Sequence, residues 1–316
     1  MPITVAPVTV QVLELLRCPV CAGALTESYD SLICGRCGRS YAVDDGIPRL
    51  VDDALAGMRE KRLEIEGWIE KARTEAWYEP DDDVDAVLPY VCRDLGWTDP
   101  VWRANEHSFT VLLDRYVKPG LRVLELGAAK CWGAQHLVPR GCDYVATDIL
   151  VDSMIGLGRG EFYARRVGEF ARVQADGEHL PFADELFDVT YCLATLHHAL
   201  DLQKMVKEMA RVTRRGGLVA GLNEGTRALG ASADAPGQQS ERELGINEHV
   251  HTVWAYVWSF VRAGLIIRRV EHSAGNSGRA GKALARVPKL GVTLGALIDT
   301  TTEEYSGVSI FARRPR

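Results

Sequence analysis

The chain has 316 residues, of which 47% are hydrophobic and 25% charged, an ordinary balance for a soluble globular protein with a sizeable core. Its formal net charge of −6 counts against a nucleic-acid partner. No apolar run approaches the roughly 18–20 residues of a membrane span, and the N-terminus has no basic flank of the kind that opens a signal peptide, so a cytoplasmic location is expected.

In chain order, the first feature is a pair of CxxC motifs, CPVC at 18–21 and CGRC at 34–37. Cys18, Cys21, Cys34 and Cys37 can close a tetrahedral zinc site, and four thiolates leave no open coordination position, so the metal is expected to be structural. The other cysteines (Cys92, Cys131, Cys142, Cys192) are scattered in apolar surroundings, which suits a reduced compartment and not a disulfide framework. A segment this small has too little core to fold alone, so zinc supplies much of its stability. Residues 11–50 hold four arginines and five acids, a poor balance for gripping phosphates. The run CGRSYAVDDGIPRL resembles the small zinc-ribbon family that activates tRNA and protein methyltransferases, where the ribbon serves as a docking or stabilising module.

Residues 51–118 read as a helical connector or lid. Leu63, Trp68, Ile69 and Ala72 recur near helical spacing, Pro80 with Asp81–Asp83 breaks the segment at a solvated turn, and Trp97–Tyr116 reads as a helix packed on the site that follows.

Residues 121–148 read as strand, tight turn, helix and strand. Arg122–Leu126 is an apolar run typical of a buried parallel strand, Gly127 ends it, a helix follows near Cys131, and Tyr144 opens the next strand. Asp148 lies about 20 residues past the turn, where open α/β sheets place an acid for ribose hydroxyls. Ala129 and Cys131 stand where such turns usually carry further glycines. Alanine costs little there if φ is negative, and the lost space disfavours a dinucleotide pyrophosphate, although Lys130 leaves a phosphate ligand open.

From Leu121 onward the chain resembles class I S-adenosylmethionine-dependent methyltransferases. VLELG, ATDIL, RVQADGEHLPF, FDVTYCLATLHH and EMARVTRRGGLVAGLNE follow the order of that family's motifs. The resemblance implies a Rossmann-like seven-stranded α/β sheet, mostly parallel, with an antiparallel last strand near Gly307–Arg313. It also implies that Glu125, Gly127, Ala129, Asp148, Ile149, Asp176, Gly177 and Leu193 surround S-adenosylmethionine, with Asp176 at the adenine edge.

On the acceptor side, His197 or His198 is a candidate general base for a hydroxyl, or else caps the strand. Residues 225–251 are too long for an ordinary connection and form a candidate acceptor lid, with Glu224, Glu248, His249 and His251 around it as sugar-hydroxyl ligands or an alternative base. Val253, Trp254, Val257, Trp258 and Val261 have helical core spacing. Residues 262–289 carry Arg262, Arg268, Arg269, Arg279, Lys282, Arg286 and Lys289 against the single acid Glu271, which suits an anionic acceptor.

The expected organisation is a zinc ribbon (1–50), a helical connector (51–118) and a methyltransferase domain (119–316). The expected function is O-methylation of a small molecule or glycan; RNA base methylation and a non-enzymatic partner-binding scaffold are the alternatives.

Overall fold

The computed structural model describes residues 10–75, 81–234, 238–275, 278–284, 287 and 291–316. Pro80, Arg286 and Lys289 therefore lie outside the described residues, as do 235–237 of the expected lid and the first nine residues, where the leader reading falls.

A single turn, α1 (Val10–Leu13), leads into four short strands: β1 (Leu25–Ser28), β2 (Ser31–Cys34), β3 (Ser40–Asp44) and β4 (Ile47–Leu50). Successive strands pair antiparallel. Strand alternation turns Tyr41 and Val43 of β3 inward. Residues 51–118 hold α2 (Met58–Thr74), α3 (Asp82–Asp85), α4 (Val91–Asp94) and α5 (Pro100–Tyr116). The helix expected from Trp97 starts at Pro100, because Asp99 caps it by accepting from the Val101 and Trp102 N–H groups.

The remainder alternates strand and helix: β5 (Arg122–Leu126), α6 (Ala134–Leu137), β6 (Asp143–Asp148), α7 (Gly160–Val167), β7 (Ala171–Ala175), β8 (Phe187–Leu193), α8 (Leu202–Val212) and β9 (Thr213–Arg227). It closes with α9 (Gln239–Glu243), α10 (Val253–Arg262), β10 (Ile266–His272), α11 (Arg279–Leu284), α12 (Gly291–Thr302) and β11 (Tyr305–Arg313). Seven of these strands lie in the order β7-β6-β5-β8-β9-β11-β10. The neighbours from β7 to β9 pair parallel, and β11 runs antiparallel between β9 and β10. The seven-stranded expectation is met within a larger sheet. β4 pairs parallel with β7, Arg49 opposite Gln174 and Leu50 opposite Ala175, so the ribbon extends the sheet to eleven strands.

Two helices bury more, or other, residues than their apolar spacing suggests. α2 packs Ala72, Trp68 and Ile69 on Leu150 and Ile155 but also buries Lys61, Glu64 and Lys71, while Leu63 is 49% exposed. α10 buries Val253, Tyr256 and Phe260, whereas Trp254 and Trp258 are 46% and 58% exposed. Its sequence carries two apolar stripes, and only one faces α8 and the sheet. β9 runs on to Arg227 by pairing with Tyr305, so the expected lid begins inside a strand.

Candidate active site

The chain order reverses on either side of β5, and a cavity of about 320 Å³ opens beyond the C-terminal ends of β5, β6 and β8. Glu125, Gly127, Ala129, Asp148, Ile149, Gly177 and Leu193 all line it. Gly127 has φ +66°, and a Cβ there would overlap Thr195, so this turn needs glycine. Ala129 and Cys131 have φ +42° and +66°. The condition under which alanine would cost little, a negative φ, is not met: the turn keeps its left-handed shape without its glycines. The Ala129 N–H donates to Asp148 Oδ2 at 2.8 Å and the Leu150 N–H to Oδ1 at 2.8 Å, so Asp148 holds the turn against its own strand. Burial raises the Asp148 carboxyl to about 6, although those two N–H groups oppose the shift. Burial likewise lifts Glu125 to about 7, against a hydrogen bond from the Tyr144 hydroxyl.

Asp176 departs from expectation. It is fully buried and does not line the cavity. Lys61 Nζ lies 2.9 Å from its Oδ1, and His179 Nδ1 lies 2.5 Å from its Oδ2. Burial opposes ionisation, but His179 and Lys61 outweigh it and hold Asp176 below the usual carboxylate range. Gly177 and Ala175 line the cavity, while both Asp176 oxygens are engaged by Lys61 and His179. Lys130, the candidate phosphate ligand, pairs with buried Asp85 at 3.0 Å. Asp81 caps α3 and Asp82 pairs with Arg159, so both have structural partners.

At the far end of the cavity, β8 passes into a tight turn at Leu196–His198. His198 lines the cavity, and His197 lies buried behind it with the ring centroids 4.3 Å apart. His197 Nδ1 faces Glu224 Oε2 at 3.0 Å. His198 Nδ1 faces the Asn247 carbonyl at 2.9 Å and Glu64 Oε1 at 3.0 Å. Glu248 reaches both rings from the lid segment. Burial would keep His198 neutral, but Glu64 and Glu248 override it and raise its pKa to about 9. His198 therefore sits between two carboxylates, and His197 does not line the cavity. Of the residues around the lid, Glu224 and Glu248 join the cluster, His249 is exposed, and His251 packs edge-on to Tyr256. The cavity also takes Lys61, Glu64 and Trp68 from α2, Trp102 and Asn105 from α5, and Thr195. The sequence reading missed the α2 charges; the available signal was a seventeen-residue helix with too few apolar residues to bury a face.

The four ribbon thiols converge. Cys18 and Cys37 Sγ are 3.8 Å apart, Cys21 and Cys34 Sγ 3.5 Å, and all four lie within 4.8 Å of one another. This donor set fits one tetrahedral zinc ion with no open position.

Residues 124–221 match the family described as methyltransferase domain, over the strands and turn that build the cavity. Residues 10–46 match Trm112p-like protein and include all four ribbon cysteines. Demethylmenaquinone methyltransferase of Mycolicibacterium paratuberculosis is 39% identical over 138 residues, covering 43% of this chain and 56% of the relative. The protein of that name from Mycobacterium tuberculosis (strain ATCC 25618 / H37Rv) is 36% identical over 156 residues, covering 48% and 63%. The chain thus spans little more than half the length of these relatives. A solved chain from the complex containing the Haloferax volcanii Trm112 methyltransferase activator aligns with TM-score 0.50 at 19% identity, covering 75% of this chain and all of that one. The [4+2]-cyclase SpnF aligns at 0.51 and 16%, covering 73% and 94%. These structures share the fold, and fold by itself does not choose the reaction. The cavity supports the choice of cofactor: a glycine cradle at Gly127, an acid at Asp148 and an open wall at Gly177 fit S-adenosylmethionine.

Proposed function

We propose that this protein transfers the methyl group of S-adenosylmethionine to an oxygen of a small, partly apolar organic acceptor. The observation that carries the reading is the coincidence of the methyltransferase-domain match with the cavity that Gly127, Asp148 and Gly177 shape. S-adenosylmethionine supplies a methyl carbon made electrophilic by its sulfonium. Asp148 accepts from the ribose hydroxyls, and Gly127 lets the backbone approach. Trp68 and Trp102 give the cavity aromatic walls, which suit a flat or apolar acceptor face. The relatives' name, with its quinone substrate, supports a small-molecule acceptor. The chain's main contribution to rate is positioning, a term that reaches on the order of 7–11 kcal/mol in favourable models.

The test has two arms. Calorimetric titration with S-adenosylhomocysteine should show binding that Asp148→Ala weakens at least tenfold; no binding to the wild type overturns the enzyme reading and favours a scaffold. Incubation with methyl-labelled cofactor and cell extract should place label in the organic fraction. Label in a nuclease-sensitive or polysaccharide fraction overturns the acceptor assignment.

A further inference from the structure

We infer that His197, His198 and Glu248 form a second metal site, distinct from the ribbon and set at the acceptor end of the cavity. One ligand atom from each of the three residues lies within 4.8 Å of the others. His197 Nε2 is 3.5 Å from Glu248 Oε2, and His198 Nε2 is 3.7 Å from Glu248 Oε1. These separations are too long for hydrogen bonds, yet close to the roughly 3.0–3.5 Å between neighbouring donors around an ion bound at about 2.1 Å.

The outer contacts are shorter. His197 Nδ1 lies 3.0 Å from Glu224, His198 Nδ1 lies 2.9 Å from the Asn247 carbonyl and 3.0 Å from Glu64, and Gln238 Nε2 donates to Glu248 Oε2 at 2.6 Å. On each ring Nδ1 faces an outer oxygen and Nε2 faces the shared Glu248 carboxylate. This is the arrangement in which outer carboxylates and carbonyls orient metal-bound histidines. The charge balance agrees. Glu64, Glu224 and Glu248 are all buried, and two imidazoles face three carboxylates. A divalent cation between the Nε2 atoms and Glu248 compensates that excess.

Two imidazoles and one carboxylate suit zinc, iron(II) or manganese and leave coordination positions open. His198 lines the cavity, so those positions favour an acceptor that offers one or two oxygens to the ion. That acceptor role rests on the methyl-transfer reading; metal binding itself does not.

The test uses the full-length protein dialysed against a slight excess of zinc and then against metal-free buffer. Elemental analysis should give two equivalents per chain for the wild type and one for His197→Ala and for Glu248→Gln. Zinc X-ray absorption should show sulfur plus nitrogen and oxygen neighbours in the wild type and sulfur alone in the variants. One equivalent in the wild type, or two in the variants, overturns the site. S-adenosylhomocysteine binding on the same samples separates the two readings. One equivalent with intact binding removes only the metal site; two equivalents without binding removes only methyl transfer.

Discussion

Ala129 and Cys131 carry the most visible strain among the residues of the turn. A left-handed L-residue costs about 1–2 kcal/mol, and the fold accepts this because Asp148 and Thr147 pin the loop through the Ala129 and Ala128 N–H groups. Ala129→Gly should raise stability by about 1 kcal/mol in denaturant titration with S-adenosylhomocysteine affinity unchanged; a loss of stability would show that the turn is relaxed. Cys131→Gly should destabilise instead, because that side chain is fully buried. Asp148 sets a pH dependence. Its folded pKa is raised to about 6, so burial penalises the ionised form, which on the proposed function is the one that accepts from ribose. Cofactor affinity should be flat above about pH 7 and fall about tenfold by pH 5, read by calorimetry. Asp148→Asn should abolish that dependence. Asp148 was legible because its position follows from one strand-turn-helix-strand unit. Asp176 was not, because the direction of its carboxylate is set by Lys61 on a helix far earlier in the chain.

At the scale of the element, α2 buries charged residues beside its apolar stripe, where Ala72, Trp68 and Ile69 pack on Leu150 and Ile155. Lys61 sits between Asp176 and Glu178, 2.9 Å from each, and Lys71 lies 3.0 Å from Glu241 of α9. Lys61→Met removes the cation shared by Asp176 and Glu178 and leaves Asp176 with His179, so it should cost about 3–5 kcal/mol by chemical denaturation; a cost under about 1 kcal/mol would mean that water already reaches the pair. The sign with pH follows from the directions of the shifts. Asp176 is held below the usual carboxylate range, so its contribution is complete above that range and is lost as pH falls through the depressed value. Lys61 is raised, so its share persists until the pH climbs past the ordinary lysine range. α10 teaches the converse. Its spacing predicted a helix correctly, but two apolar stripes on ten residues do not say which one meets α8. Periodicity reports that a face exists, whereas the neighbour decides whether it is covered.

At the scale of the whole molecule, the ribbon is part of the sheet. β4 lies along β7, the Arg17 N–H donates to the Pro181 carbonyl at 2.8 Å, and Leu16 packs into the same core as Leu124 and Phe182. Zinc sites of this kind contribute apparent binding energies of about 10–16 kcal/mol, comparable to the net stability of a whole domain. Chelation, or Cys21→Ser with Cys34→Ser, should therefore lower the main melting transition by roughly 10 °C or more in calorimetry. A separate early ribbon transition, with the main one unmoved, would show two independent units. No helix among the described residues is long and apolar enough to cross a membrane. The sequence alone determined the four-cysteine zinc set, the mostly parallel seven-stranded sheet with its antiparallel last strand, and the turn around Gly127, because each is written in local spacing or in motifs of fixed order. Only the tertiary structure decided that the ribbon edge-pairs with β7, that Lys61 and Glu64 enter the cavity, and that His197, His198 and Glu248 meet. Those are contacts between distant segments with ordinary local patterns, and the partners that compensate each buried charge become visible only once the chain has brought them together.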